Sequence, residues 1–268
     1  MPSHLETAAE TAREAGNLLV HYFERRIGYE LKGDFDLVTD ADRASEKLIV
    51  ERLSAHFPSH AIVAEEGGNK CGSSEFRWFV DPLDGTTNFA HGFPMFNVSI
   101  GLERNGELIA GVIYDPIHQE MFAAERGAGA WLNHRRIRVS TVKLLRESLL
   151  ATGFPSYKRH LNVNIHFYHQ LAMASHGVRR TGSAALDLAY VACGRLEGYW
   201  EIGLKPWDMA AGAVLVAEAG GAVTRMDGTP LDLMGPNILT DNTGIHEEML
   251  RTISEVQAGR YRVPLPQL

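Results

Sequence analysis

The most informative stretch of the chain reads Trp78-Phe79-Val80-Asp81-Pro82-Leu83-Asp84-Gly85-Thr86-Thr87-Asn88-Phe89. An apolar run typical of a buried strand leads directly into two carboxylates three positions apart. Pro82 fixes the backbone between them and Gly85 allows a close approach, so Asp81 and Asp84 can aim at one point. Hard divalent cations such as Mg²⁺ prefer oxygen ligands, and N–H groups at a helix start favour anions. The stretch therefore predicts a site for magnesium and phosphate at the end of a strand.

Two further acidic residues occupy comparable positions. Glu65 follows the predicted strand before this stretch, and Asp208 lies at the predicted start of a later helix. Each acidic residue also has a structural interpretation. A lone Glu is most often solvated, Asp208 can cap the helix, and Asp81 and Asp84 can close an Asx turn. The local sequence leaves these alternatives open.

Helices followed by strands are predicted for the first half of the chain. Apolar residues recur at helical spacing over residues 5–26 and 40–57, and Pro58 ends the second helix. Asn105-Gly106 is the strongest short signal of a β-hairpin, because both residues tolerate a positive φ. An antiparallel sheet is therefore expected, with strands over residues 61–64, 76–80, 97–102, 108–114, 120–124 and 137–139.

Strands and helices alternate in the second half, which is typical of an α/β arrangement. No linker or repeat separates the halves, so we expect one rigid body in which residues 1–140 form an α+β half and residues 141–268 an α/β half. Strands are predicted over residues 148–152, 178–181, 196–201 and 222–226, and helices over residues 161–174, 183–193 and 207–219.

Composition and charge exclude several classes of protein. Hydrophobic residues make up 45% of the 268 residues and charged residues 22%, as in folded globular proteins and unlike disordered or coiled-coil chains. The formal net charge of −7 argues against a general nucleic-acid or membrane surface, although it leaves room for a local basic pocket. The two cysteines fit neither a disulfide framework nor a four-ligand zinc site, and no apolar run is long enough to span a bilayer. We therefore expect a cytoplasmic protein.

Five ordered motifs resemble those of the inositol monophosphatase family. The two main signatures correspond to residues 81–88 and 207–221. Glu65-Glu66 and the stretches 36–42 and 182–185 follow the family's order and approximate spacing, so that the resemblance covers nearly the whole chain. It implies the α/β class with a layered α-β-α-β-α sandwich, an active site between the two halves, and a homodimer.

The resemblance also implies a set of metal ligands. Carried over by position, Glu65, Asp81 and the Leu83 carbonyl would hold one Mg²⁺, and Asp81, Asp84 and Asp208 would hold a second. Asp81 would then bridge the two ions. Inhibition by lithium is a further trait of the family.

Catalytic roles follow from the same resemblance. Thr86 would orient the attacking water, Asp42 would accept its proton, and the N–H groups of Gly85 and Thr86 would hold phosphate oxygens. Two metal ions stabilise the attacking and leaving oxygens of such an in-line displacement. From the local sequence alone, a helix-start residue favoured by the macrodipole is the better explanation of Asp42, and Thr86 can be a helix cap.

Substrate contacts are expected from Asp84, Gly85 and Thr86 and from four residues of the second half. These are Gly182, Ser183 and Ala184, whose backbone can reach ligand hydroxyls, and Glu201, whose carboxylate can accept hydrogen bonds from vicinal hydroxyls. Ser183 can instead be a helix cap. The expected ligand is a phosphorylated polyol or sugar.

Inositol-1-monophosphatase activity is the activity that the resemblance favours. Residues 91–94, His-Gly-Phe-Pro, support it, and nucleotide 3′-phosphatases and histidinol phosphatases tend to have Lys at the position of Thr87. Fructose-1,6-bisphosphatase or dual specificity is the main alternative, and a non-catalytic scaffold is the least favoured because the ligand positions are all kept. Lys205 stands where several animal relatives carry His, and Lys32 lies at a basic position in relatives. Lys32 can screen phosphate charge or be a solvated surface residue, and the departure at Lys205 weakens the carry-over of leaving-group contacts.

Overall fold

Two large β-sheets with helices between and outside them, and a two-stranded antiparallel sheet of residues 29–31 and 37–39, form the computed structural model, which describes residues 3–25, 28–31, 37–154 and 162–264. The first part of the chain contains α1 (His4–Glu24), β1 (Tyr29–Leu31), β2 (Leu37–Thr39), α2 (Asp40–His56), β3 (Ala61–Ala64), β4 (Phe76–Asp84), α3 (Thr86–Ala90), β5 (Asn97–Arg104), β6 (Glu107–Asp115), β7 (Glu120–Glu125), β8 (Gly129–Leu132) and β9 (Arg135–Ile137).

The second part opens with a short 3₁₀ turn, Leu145–Glu147. It continues with β10 (Leu149–Thr152), α4 (Asn164–Ala174), β11 (Gly177–Arg179), α5 (Ala184–Ala192), β12 (Gly198–Ile202), α6 (Pro206–Glu218), β13 (Ala222–Thr224), β14 (Asn237–Asp241) and α7 (His246–Gln257). The sequence analysis did not assign β14 or α7, although Met249, Ile253 and Val256 form a buried face on α7 at helical spacing.

The larger sheet has seven strands in the order β3-β4-β5-β6-β7-β8-β9. The hairpin between β5 and β6 is confirmed, with φ of 51° at Asn105 and 85° at Gly106. The antiparallel expectation holds from β4 to β9 and is wrong for β3, which pairs in parallel with β4 because residues 65–75 return the chain to the same end of the sheet. The strand predicted over residues 137–139 is also wrong in place, since β9 ends at Ile137 and β8 precedes it.

The smaller sheet has five strands in the order β11-β10-β12-β14-β13. Strand β10 pairs in parallel with β11 and β12, whereas β14 runs antiparallel to both of its neighbours. The three parallel strands are joined by helices, as the alternation in the sequence predicts.

Five layers result from the packing of the helices. Helices α1 and α2 cover the outer face of the larger sheet, α5 and α6 lie between the two sheets, and α4 and α7 cover the outer face of the smaller sheet. The α-β-α-β-α sandwich is therefore confirmed. Because the α5–α6 layer packs on strands of both sheets, the halves share one core, and the division at residue 140 stays a prediction.

Two glycines bring α6 unusually close to the larger sheet. A Cβ atom on Gly101 of β5 would lie 2.6 Å from the Ala210 Cβ, and one on Gly111 of β6 would lie 2.4 Å from the Ala211 carbonyl oxygen. Real Cβ atoms do not approach other atoms so closely, so these positions accept no side chain without a shift of α6. The close approach packs α6 on β5 and β6 and beside β4, the strand that ends in the Asp-rich stretch.

We expect Gly111→Ala to destabilise the protein by about 1–3 kcal/mol, because the added methyl group overlaps the backbone of α6. The measurement is the free energy of unfolding from urea titration. Gly28→Ala is the control, since a Cβ there would meet nothing within 4 Å. Equal stability of the two variants would contradict the proposed close packing.

Candidate active site

The end of β4 is irregular at the Asp-rich stretch. The pairing of β4 with β5 shifts between Asp81 and Asp84, and Pro82 lies in this bulge, where it needs no ladder N–H. The Asp81 Oδ1 accepts the Leu83 N–H at 3.0 Å, so the Asx-turn interpretation of Asp81 is correct. Burial raises the pKa of Asp81 well above its usual range, and the charges of Glu65, Asp84 and Asp208 act in the same direction.

Asp84 joins the two halves of the chain. Its Oδ2 accepts the Ser183 hydroxyl at 2.6 Å, the Ala185 N–H at 2.8 Å and the Asn97 amide at 2.9 Å. Ser183 also caps α5, because its hydroxyl oxygen accepts the Leu186 N–H, so the cap interpretation of Ser183 is correct as well. Burial raises the pKa of Asp84, and these hydrogen bonds oppose the rise.

Asp208 reaches the same region from the start of α6. The N-cap is Lys205, and Asp208 is the third helical residue, whose Oδ2 accepts the Lys205 N–H at 2.7 Å. Asp208 therefore caps the helix from inside rather than as the N-cap residue. Burial, together with the charges of Asp84 and Glu201, raises the pKa of Asp208 to about 8, although the hydrogen bond from the Lys205 N–H and the charge of Lys205 lower it.

Asp42 has the same position in α2 that Asp208 has in α6. Its Oδ2 accepts the backbone N–H of Thr39 at 2.7 Å and the Thr39 hydroxyl at 2.6 Å, which completes a capping box. Its Oδ1 lies 3.1 Å from the Thr86 hydroxyl oxygen. Asp42 is fully buried, and burial raises its pKa while the Thr39 bonds oppose the rise. The helix-start interpretation and the predicted contact with Thr86 thus coexist in one side chain.

The Thr86 hydroxyl has two acceptors within reach but one proton. It lies 3.1 Å from the Asp42 Oδ1 and 3.0 Å from the Leu83 carbonyl oxygen. Donation to Asp42 leaves the Leu83 carbonyl free for another partner and leaves the Thr86 oxygen able to accept a hydrogen bond. The pair Asp42–Thr86 can therefore both orient a water molecule and receive its proton.

A buried acidic residue of α2 holds the loop that carries Glu65. The Glu46 carboxylate accepts the Glu66 N–H at 2.7 Å and the Gly68 N–H at 2.8 Å. Glu65 itself is half-buried at the end of β3, beside the Val80 carbonyl that accepts its N–H. Its charge raises the pKa of Asp81, so Glu65 is not an isolated surface residue.

Glu201 lies near the end of β12, a strand of the smaller sheet. The Tyr199 hydroxyl donates to its Oε2 at 2.5 Å, and a Cβ on Gly153 would overlap its carboxylate, at 1.9 Å. Burial, together with the charge of Asp84, raises the pKa of Glu201 to about 7, although the hydrogen bond from Tyr199 lowers it. Glu201 therefore belongs to the same electrostatic cluster as the aspartates.

The remaining predicted contacts lie at the starts of two helices. Gly85, with a φ of 93°, precedes α3, and Gly182, with a φ of 88°, precedes Ser183 and α5. The Asn88 amide ties these starts together by donating to the Met95 and Thr181 carbonyls, at 2.9 Å each. The Ala184 N–H, at the first residue of α5, faces Asp84 and helps to lower its pKa.

The oxygen-rich cluster is not a ready-made ligand set. Within the described ranges, no three His, Cys, Asp or Glu side chains stand close enough together to hold a metal ion. One carboxylate oxygen of Asp81 accepts a hydrogen bond from the Leu83 N–H, and one of Asp208 accepts a hydrogen bond from the Lys205 N–H. Lys205 is exposed beside Asp208, and Lys32 lies outside the described residues.

Sequence reasoning missed four polar residues of this region. Asn97 bonds both Asp84 and Ser183, and Tyr199 bonds Glu201. The signal for Glu46 was its spacing of four from Asp42, on one helix face. Asp187 was visible as the one acidic residue of an otherwise apolar α5; burial raises its pKa well above the usual range, and its Oδ1 has no partner among the described residues.

Comparison with known proteins decides the family. The model of the inositol monophosphatase family matches residues 2–258. The chain belongs to the inositol monophosphatase family. An inositol-1-monophosphatase of Synechocystis is 47% identical over 262 residues, which cover 94% of this chain and 91% of that protein. A Nus factor SuhB of Pseudomonas aeruginosa is 46% identical over 261 residues, which cover 94% of this chain and 96% of that protein.

The fold agrees with solved structures of the family. The inositol monophosphatase of Anabaena has a TM-score of 0.86 and 46% identity, and the match covers 94% of this chain and 95% of that one. As a member of the inositol monophosphatase family, the chain is a phosphatase, of a generally metal-dependent kind that acts on small phosphorylated substrates. In the described part of the chain, no helix is both long and apolar enough to cross a membrane.

The raised pKa of Glu201 predicts a dependence of stability on pH. The folded state holds this proton more tightly than the unfolded state, so the contribution of Glu201 is fully present below its ordinary value of 4.5 and is lost as the pH rises through about 7. In EDTA, urea unfolding should show that Glu201→Gln gains stability relative to the wild-type protein across this window, on the order of a few kcal/mol.

Glu51→Gln, on the exposed side of α2, is the control and should show no such gain. The prediction would be contradicted if the difference in the free energy of unfolding between the wild-type protein and Glu201→Gln stayed constant over the same pH range.

Proposed function

We propose that the chain hydrolyses inositol 1-phosphate in a Mg²⁺-dependent reaction, and that it does so as a homodimer. The observation that supports the proposal is that the charges of Glu65, Asp84 and Asp208 all raise the pKa of the buried Asp81, so the four carboxylates share one region although their side chains do not stand as a closed ligand set. Among the described residues, no basic group is a main influence on that pKa. Buried carboxylates need a compensating charge, and a divalent cation is the natural source in a phosphatase.

The donor set fits Mg²⁺ by its chemistry. Carboxylate and carbonyl oxygens are the ligands of hard cations, and the predicted ligands include no sulfur or imidazole. In this proposal Glu65, Asp81 and the Leu83 carbonyl hold one ion, and Asp81, Asp84 and Asp208 hold the other. When bound, such ions neutralise charge on the phosphoryl group and lower the barrier to in-line attack.

Asp42 and Thr86 supply the general base in this proposal. The Thr86 hydroxyl donates to the Asp42 Oδ1 and thereby turns a lone pair toward the attacking water. Because burial raises its pKa, Asp42 is a stronger base than an exposed carboxylate. Its Oδ2 is fixed by Thr39, so Oδ1 stays directed at Thr86 while the proton is transferred.

The two helix starts and Glu201 form the proposed substrate site. In this proposal the N–H groups of Gly85 and Thr86 hold phosphate oxygens. The backbone of Gly182, Ser183 and Ala184 and the carboxylate of Glu201 bind ring hydroxyls, and the Ser183 hydroxyl and the charge of Asp84 link the two sets of groups. A polyol that carries neighbouring hydroxyls and one phosphate matches this combination of donors and acceptors.

Phosphate release by the purified protein tests the proposed substrate. With Mg²⁺ present, inositol 1-phosphate should be turned over faster than fructose 1,6-bisphosphate, histidinol phosphate and adenosine 3′,5′-bisphosphate, and lithium should inhibit. Equal turnover of fructose 1,6-bisphosphate would instead make the chain a dual-specificity sugar phosphatase. Turnover of the last two substrates alone would overturn the proposal.

Asp42→Asn should lower kcat by about 10²–10⁴-fold, because it removes a base and turns an amide toward the Thr86 hydroxyl. Asp40→Asn is the matched control, since Asp40 begins the same helix and its side chain is 79% exposed. The control should keep the wild-type kcat. The role of Asp42 would be refuted by an Asp42→Asn variant that is folded, as judged by its melting temperature, and still fully active.

A further inference from the structure

A second groove lies away from the carboxylate cluster. It has a volume of about 510 Å³ and is formed by residues 136–143, the end of α6 and residues 242–244. Three cationic side chains line it: those of Arg136, Arg138 and Lys143. This concentration of positive charge stands out in a chain whose formal net charge is −7.

No carboxylate of the described chain forms an ion pair with these three cations, all of which are exposed. Glu218 also lines the groove, but its two carboxylate oxygens accept the Gly127 and Gly129 N–H groups, at 2.9 Å each. The groove therefore sets three cations against one carboxylate and the partial negative charge of the C-terminal end of α6, which leaves an excess of positive charge.

The walls of the groove are held in place by a buried amide. Asn242 is 3% exposed, and its side chain donates to the Ser140 hydroxyl at 3.1 Å and to the Val142 carbonyl at 2.7 Å. Gly244 packs so closely that a Cβ there would lie 2.5 Å from the Val142 carbonyl oxygen. The binding surface is thus formed before any ligand arrives, which reduces the entropy lost on binding.

A strained residue stands at the edge of the groove. Thr243 has a φ of 67°, which is a rare conformation for a β-branched residue. Its N–H donates to the Asp241 Oδ1 at 2.8 Å, and Asp241 is fully buried. Strain of this kind persists only where the surroundings enforce it, and it concentrates at functional sites. This observation is independent of the charges.

We propose that this groove binds a small polyphosphorylated anion. Three unpaired cations and the hydroxyls of Ser140, Thr141 and Thr243 match several phosphate groups, and the volume is that of a small-molecule site. None of the described residues that line it is aromatic, so they offer no surface on which a nucleobase can stack. Arg136 lies on the edge strand β9, where a charged side chain discourages pairing with another chain. Arg138 and Lys143 lie beyond the strand, so this explanation does not apply to them.

This site is distinct from the proposed active site. Asp208 lies in the first turn of α6 and Glu218 is its last residue, so ten residues of helix separate them by about 15 Å. The inference therefore stands whether or not the chain hydrolyses inositol 1-phosphate.

Calorimetric titration with inorganic tripolyphosphate tests the site. The protein is kept in EDTA, so that no divalent cation contributes to binding elsewhere. Arg136→Ala with Arg138→Ala should weaken binding by about tenfold or more, because charge-assisted bonds to phosphate are lost. The control is Arg25→Ala with Arg260→Ala, which removes the same charge from exposed positions outside the groove and should leave the affinity unchanged.

Three outcomes would overturn the proposal: absence of tripolyphosphate binding to the wild-type protein, unchanged affinity in the groove variant, and an equal loss in the control. Lys143→Ala provides a second variant if the double variant does not fold, and it should also weaken binding. Asp81→Asn should bind tripolyphosphate as the wild-type protein does, since Asp81 lies outside the groove.

Discussion

The need to hold like charges together governs the structure of this protein. Asp81 and Asp84 lie at the end of β4 and Asp208 lies in the first turn of α6; the charges of Asp84 and Asp208 raise the pKa of Asp81, and the charge of Asp84 raises that of Asp208. Burial of carboxylates is costly unless they are hydrogen-bonded or paired. The fold reduces this cost by giving each aspartate a backbone N–H donor, on Leu83, Ala185 and Lys205 respectively.

The same requirement explains features that lie far apart in the sequence. Gly101 of β5 and Gly111 of β6 allow α6 to approach the larger sheet, and this approach brings Asp208 of α6 to the end of β4. The start of α5 faces Asp84 from the other side, so a helix of the second half completes the surroundings of a carboxylate of the first. The packing of the five layers therefore also brings the residues of the site together.

Much of the fold was predictable because its signals are local. The hairpin at Asn105-Gly106 and the two leading helices follow from turn chemistry and apolar spacing. The parallel pairing of β3 with β4 was missed because it depends on where the chain returns, which no local pattern shows. Strand β14 was missed because its apolar run, Ile238-Leu239, is short and lies between polar residues.

For the candidate site, the signature motifs located the carboxylates but not what supports them. Asp42 and Asp208 could be read as helix-start residues or as functional groups, and the structure shows one oxygen of each in a cap. Asn97 and Tyr199 could not be identified, because a polar residue in a strand has many possible partners and its actual one comes from a distant segment. Their contacts with Asp84 and Glu201 are products of the tertiary fold.

We propose that the buried carboxylates of this region bind Mg²⁺. Calorimetric titration of Mg²⁺ into metal-free protein, in two buffers with different ionisation enthalpies, measures both binding and proton release. Because the pKa of Asp81 is well above its usual range and that of Asp208 is about 8, binding near neutral pH should release protons, and Asp81→Asn should weaken it strongly. The account would be contradicted by absence of Mg²⁺ binding, or by binding that releases no protons and is unchanged in Asp81→Asn.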